Sequence, residues 1–193
     1  MAPSEPRERL LRTASELFYR EGIHAVGVDR IVTEAGVTRA TFYRHFPSKE
    51  DLVEAYLAVE DEHIRAAFAQ AEGGSDDPER LLELVIEALA DDVARHHTRG
   101  CPFINASAEY PDAASPVRAT VARHRSWFRD TLETLLRAAG AAEPALAAGE
   151  LVLLRDAAMV GGYLDGWDRV RPAFAAAARR AAVLPEAGTH FGG

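Results

Sequence analysis

Residues 28–49 read VDRIVTEAGVTRATFYRHFPSK, and no other stretch of the chain restricts the fold so tightly. Ile31, Val32, Ala35 and Val37 give a short first helix and its turn one apolar face. Phe42 and Phe46 stand four apart and share a face of a second short helix. Between them Ala35-Gly36-Val37 makes a tight turn, with Gly36 supplying the positive φ that ends one helix and redirects the chain. Thr38 is placed to cap the second helix through its hydroxyl. Ser48, with Asp51 three residues on, makes a capping-box-like start for a third segment.

Upstream, residues 7–22 put Leu10, Ala14, Leu17 and Phe18 on one stripe, and Gly22 stops that helix. The N-terminal run therefore reads as helix, loop, helix, turn, helix, followed by a long helix from about Ser48. Arg39 and Tyr43 are four apart on a face other than that of the phenylalanines, free for a partner. With Thr41 on the same helix and Lys49 just after it, they form an exposed set. A helix of this size fits the DNA major groove, where such side chains reach bases and phosphates. The competing reading is an ordinary helical hairpin with a solvated polar face.

The run RERLLRTASELFYREGIHAVGVDRIVTEAGVTRATFYRHFPSKEDLVEAYL, residues 7–57, resembles the N-terminal DNA-binding domain of the tetracycline-repressor (TetR) type of transcriptional regulators. The most specific part is AGVTRATFYRHFPSKEDL. Residues 100–125, beginning GCPFIN, resemble the ligand domain of one subgroup, whose members carry Gly-Cys followed by an Asn there. The resemblance implies that Thr38, Arg39, Ala40 and Thr41 face base edges or flanking phosphates from the start of the recognition helix. It implies that Tyr43 touches a phosphate or a thymine methyl, and that His45 and Lys49 contact phosphates, with Arg44 as an additional phosphate contact. Arg39 is the candidate for direct readout, because a guanidinium pairs bidentately with guanine O6 and N7. Asp29 departs from the polar or basic residue of many relatives; it would either repel phosphate or serve a helix N-terminus.

Charge is unevenly divided. The 193-residue chain has a net charge of −8. Residues 1–50 hold eight Lys/Arg against seven Asp/Glu, a net of +1, which leaves 14 basic and 23 acidic residues, a net of −9, for 51–193. The acidic part is expected away from DNA. Few phosphate contacts per subunit favour a dimer on two half-sites. No segment is long and apolar enough for a membrane span and none reads as a signal peptide. The single cysteine excludes an internal disulfide framework. A cytoplasmic bacterial regulator is the expected setting.

Further helices follow. Leu82, Val85, Ile86, Leu89 and Val93 mark a helix over about 78–97, started by Asp77-Pro78 after the loop 73–77. Gly100 to Pro102 interrupts the pattern, and Pro111 and Pro116 bracket another loop. Val117, Val121, Phe128, Leu132, Leu135 and Leu136 mark a long helix ending at Gly140. The next runs from Ala145 to about Gly166. A last Ala-rich helix begins near Pro172 and fades by Pro185. The expected fold is thus all-α: a helix-turn-helix domain at 1–47 (its motif at about 29–46), a connecting helix at 48–72, an effector-binding and dimerisation domain at 73–185, and a tail at 186–193.

Ala157, Ala158, Gly161 and Gly162 are small residues in mid-helix, where each glycine costs about 1 kcal/mol relative to alanine. Close helix approach in a dimer interface would offset this, and the family fold places its dimer bundle there; a kink or a tight intrachain contact would also explain it. Candidate effector-lining residues are Cys101, Phe103, Asn105, Tyr110, Trp127, Phe128, Met159 and Tyr163, although aromatics at helical spacing also serve as plain core. Cys101, near His96, His97 and Arg99, is either a thiol-reactive sensor or a buried inert thiol. Adjacent histidines point apart on a helix, so no metal is expected, and no cofactor. The chain lacks GxSxG, P-loop, GxGxxG and HExxH patterns, so no catalytic residues are expected.

The leading reading is a ligand-responsive DNA-binding regulator, a homodimeric repressor released from a palindromic operator by a small-molecule effector. The rivals are an enzyme and a helical interaction module without a DNA role. The helix from Ser48, as the only covalent link between the two expected domains, is the expected lever.

Overall fold

A computed structural model describes residues 5–95 and 99–182. The expectations for Val93 as a core side chain, His96, His97 and the tail at 186–193 lie outside the described residues. The described residues form nine α-helices and no strand: α1 (Glu5–Glu21), α2 (Val28–Glu34), α3 (Arg39–His45), α4 (Lys49–Glu72), α5 (Pro78–Arg95), α6 (Pro102–Glu109), α7 (Pro116–Ala138), α8 (Pro144–Asp165) and α9 (Trp167–Ala181).

The apolar stripes predict the core well. Leu10, Ala14, Leu17 and Phe18 of α1 are buried, and so are Ile31 and Val32 of α2, Phe42 of α3, and Phe46. Gly22 ends α1 and Gly36 turns α2 into α3, both at positive φ. Thr38 caps α3 by accepting the Thr41 N–H on its Oγ at 3.1 Å. The start of α4 is a reciprocal box: the Ser48 N–H donates to Asp51 Oδ2 at 2.8 Å, and the Asp51 N–H donates to Ser48 Oγ at 3.1 Å.

Two compact units emerge. One takes in the chain up to His63 together with Pro102–Arg123; the other takes in Ile64–Cys101 and the chain from His124 onward. The chain passes between them three times, at 63/64, 101/102 and 123/124. The helix from Ser48 is therefore not the only covalent connection between compact units. The reason lies in α6, whose C-terminal Glu109 is hydrogen-bonded to the turn after α1 rather than to a neighbour in sequence.

In the second unit α8 and α9 pack along each other and α5 packs against both. A single residue, Gly166 at φ 88°, joins α8 to α9. Here the structure corrects the sequence: α9 begins at Trp167, and Pro172 lies inside it. Proline removes one backbone donor and disfavours helix before it. The residues before the proline are held by packing: the Trp167 ring stands 6.2 Å from that of buried Phe174, and Val170 approaches Gly161 of α8.

Candidate nucleic-acid interface

The turn between α2 and α3 presents a polar face on an apolar base. Phe42 and Phe46 turn inward and are buried. Phe42 also meets the Tyr43 ring edge-on at 5.1 Å, which fixes where Tyr43 leaves the surface. Tyr43 is 49% exposed. Thr38, Arg39, Ala40 and Arg44 are exposed beside it. Thr41 and His45 are half-buried, and the Thr41 hydroxyl lies 3.0 Å from the Thr38 hydroxyl.

Arg39 is not free, contrary to the sequence expectation. Its Nε donates to Asp29 Oδ1, and its Nη2 donates to Asp29 Oδ2 at 2.7 Å. This is a side-on, bidentate pair between the first turns of α2 and α3. The carboxylate raises the guanidinium pKa above its ordinary value. Asp29 is thus the partner of the very side chain expected to read DNA. Sequence spacing does not reveal this, because ten residues and a turn separate the two.

Lys49 is half-buried, not extended into solvent. Its ammonium stands 5.9 Å from the centre of the Phe18 ring. Burial lowers its pKa, while the carboxylates of Glu109 and Glu50 act in the opposite direction.

Behind this face Glu109 makes a latch that the sequence did not announce. One carboxylate oxygen accepts the Ile23 N–H at 2.8 Å and the other accepts the His24 N–H at 2.6 Å. The His24 Nε2–H donates to the Glu109 carbonyl oxygen at 2.7 Å, and the His24 ring lies 5.0 Å from that of Tyr110. Burial, with Glu50 and Glu109 nearby, pushes the Tyr110 phenol up to about 12. The only hint in the sequence is a carboxylate at the end of a short apolar segment.

The remaining candidates divide. Phe103, Asn105 and Tyr110 belong to the first unit; Cys101, Trp127, Phe128, Met159 and Tyr163 belong to the second. Cys101, Phe128 and Met159 are buried and Trp127 is half-buried, but Tyr163 is exposed on α8 rather than gathered with them. Sequence reasoning missed Arg155, which is 2% exposed and donates from Nη1 to Cys101 Sγ at 3.3 Å, beneath the Phe128 ring. Of the small residues of α8, Ala158 is buried within the chain, and a Cβ on Gly161 would stand 3.2 Å from Val170 of α9. Part of that patch therefore serves intrachain packing, while Ala157 is exposed. Leu146, Leu153, Val160, Tyr163 and Leu164 leave an apolar surface on α8, and a groove of about 610 Å³ lies between α8 and α9, lined by Leu154, Ala157, Phe174 and others. No group of His, Cys, Asp and Glu that could hold a metal occurs among the described residues. No helix among them is long and apolar enough to cross a membrane.

The fold and this face define a helix-turn-helix DNA-binding protein with a larger helical companion domain. The chain belongs to the TetR family of transcriptional regulators. Residues 10–56 match the model described as "Bacterial regulatory proteins, tetR family", and residues 78–181 match "Tetracyclin repressor-like, C-terminal domain". A crystal structure of a TetR-family transcriptional regulator from Streptomyces coelicolor is 45% identical, with a TM-score of 0.89, over 93% of this chain and 95% of that one. The transcriptional activator FasR of Mycolicibacterium smegmatis is 35% identical over 119 residues, 59% of this chain; the match spans about half, 52%, of that relative's length. The transcriptional repressor BepR of Brucella suis is 29% identical over 85% of this chain and 81% of its own. The protein is accordingly a DNA-binding transcriptional regulator, not an enzyme.

Proposed function

We propose that the protein is a cytoplasmic, homodimeric repressor that reads a palindromic operator and releases it on binding a small-molecule effector. The observation that carries the DNA reading is the exposed face of α3: Arg39, Ala40, Tyr43 and Arg44 stand outward on a helix whose other face is anchored by the fully buried Phe42. Arg39 is the base reader, with Thr38, Ala40 and Thr41 beside it at the helix start. Tyr43, Arg44, His45 and Lys49 are the phosphate or methyl contacts. Division into a DNA-binding domain at 1–47, a connecting helix at 48–72 and an effector and dimerisation domain at 73–185 is part of this reading.

The exposed Leu153, Val160, Tyr163 and Leu164 of α8, the groove between α8 and α9, and exposed Ala157 support pairing of two chains through α8 and α9, while Ala158 and Gly161 of the small-residue patch are already used inside the chain. Two recognition helices then address half-sites about one helical turn apart or somewhat more. An effector acts only by binding the DNA-released conformation more tightly. Buried Cys101, Phe128 and Met159 and half-buried Trp127 make a mostly apolar ligand the favoured class for the second unit; Phe103, Asn105 and Tyr110 offer lining in the first. A thiol-reactive trigger at Cys101 is the second reading, favoured by the Arg155 guanidinium at 3.3 Å from the sulfur and opposed by its 1% exposure. Operator release by oxidants in the unaltered protein but not in Cys101→Ser would establish it.

The DNA reading is tested on duplexes selected by the protein from a random pool. Arg39→Ala is expected to relax preference at one or two positions. Lys49→Ala is expected to weaken all sequences alike and to make the salt dependence shallower by about one unit. Identical behaviour of the two variants on selected and random DNA would refute the assignment.

A further inference from the structure

Arg39 carries five N–H donors in a rigid fork. Asp29 occupies the Nε–Nη2 edge of that fork and leaves both Nη1 donors and one Nη2 donor pointing onward. The end that remains presents two parallel donors, one from each terminal nitrogen, the pattern that matches guanine O6 and N7. The pair also orients the guanidinium before DNA arrives, since Asp29 sits on α2, whose Ile31 and Val32 are buried, and Arg39 on α3, whose Phe42 is buried. Asp29 is itself held in the first turn of α2, where its carbonyl accepts the Thr33 hydroxyl at 2.8 Å.

The charge has a second consequence. A lone arginine at the groove attracts any phosphate, whatever the sequence. An arginine paired in this way is part of a neutral unit, whose donors act at hydrogen-bonding distance but whose long-range pull is cancelled. Both side chains are largely exposed, at 60% for Arg39 and 73% for Asp29, so the pair stands at the surface where DNA would dock rather than inside the fold.

We propose that Asp29 is a specificity-determining positioning residue: by gripping the Nε–Nη2 edge of Arg39 it aims the guanidinium end at a guanine in the major groove and withholds its charge from the phosphates. This rests on the reading of Arg39 as the base-contacting residue. The Asp29 carboxylate, which on an unpaired helix would only repel the DNA backbone, thereby trades non-specific affinity for discrimination.

The test uses full-length protein, a duplex selected by the unaltered protein from a random pool, its single-base-pair variants, and a random duplex. Binding is followed by fluorescence anisotropy over a salt series, with thermal melting as a check that each variant folds. Arg39→Ala should lose preference at one G·C pair by roughly 5- to 150-fold. Asp29→Asn should lose about tenfold of the preference at that same pair, because the fork is no longer aimed. It should also bind the random duplex roughly two- to threefold more tightly at low salt, with a dependence on salt steeper by about one unit. Asp29→Glu, which keeps the charge, should restore part of the preference and the original salt dependence. Retained or sharpened preference in Asp29→Asn would overturn the proposal, since the pair would then merely restrain Arg39. The two levels separate cleanly: if Arg39→Ala changes no preference, the base-reading assignment falls and takes Asp29 with it, whereas an Arg39-sensitive pair indifferent to Asp29→Asn removes the Asp29 role alone.

Discussion

Removing the Glu109 carboxylate should loosen the seat of the DNA-binding helices by a measurable amount. The two backbone donors it serves differ. The Ile23 N–H is part-buried at 2.8 Å beneath a side chain that is 2% exposed, so in Glu109→Ala water replaces the carboxylate poorly. A hydrogen bond to a charged group in such a place contributes roughly 1.5–3 kcal/mol. The His24 N–H is exposed, and water can take over most of its bond, leaving less than about 1 kcal/mol. Glu109→Ala should therefore cost about 2 kcal/mol. For a chain of this size that is roughly 4–8 °C in Tm, read by calorimetry or circular dichroism. Glu109→Gln keeps one acceptor and turns an amide donor toward the other N–H, so it should fall between the two. Because the latch holds the turn that precedes α2, the alanine variant should also bind its selected duplex more weakly while its melting curve still shows a folded protein. A Tm for Glu109→Ala within about 1 °C of the unaltered protein would refute the reasoning, since the carboxylate would then carry no net bond in solution.

Two further outcomes are expected. Leu153 and Leu164 of α8 are 68% and 70% exposed, and burying each in a dimer would contribute about 1.5–3 kcal/mol, so the double change Leu153→Glu, Leu164→Glu should give a monomer by light scattering at micromolar concentration, with little change in helical signal. Glu21 is held down to about 2 by its hydrogen bonds to Arg30 and Arg20, against an ordinary 4.5. A carboxyl depressed in the folded state contributes stability fully above the ordinary value and loses it as pH falls through the lower one. Glu21→Gln should therefore melt below the unaltered protein at pH 7 and converge with it near pH 2; an equal gap at both pH values would show that the pair does not stabilise the fold.

The division of labour between sequence and fold is clear in particular residues. The sequence by itself determined the helices of the DNA-binding region, their inward faces and their caps. Leu10, Ala14, Leu17, Phe18, Phe42 and Phe46 recur at helical spacing, and Gly36, Thr38 and Ser48 act within a few residues of themselves, so local chemistry suffices. It also marked the outward face of α3, because a residue four from Arg39 and off the phenylalanine stripe has nowhere else to point. Only the tertiary structure decided what those faces meet. Periodicity says that a side chain is covered, not by what: Arg39 is taken by Asp29 across a turn, Glu109 is brought to Ile23 and His24 from 86 and 85 positions away, and Arg155 reaches Cys101 across 54. Gly161 answers to Val170 inside the chain, where the sequence pattern favoured a second copy. Pro172 read as the start of a helix, because its local cost is real; contacts of Trp167 with Phe174 and of Val170 with Gly161 support the turn before it. Long-range pairings of this kind depend on where distant segments are placed by the packing of the whole chain, and no local pattern of residues records that placement.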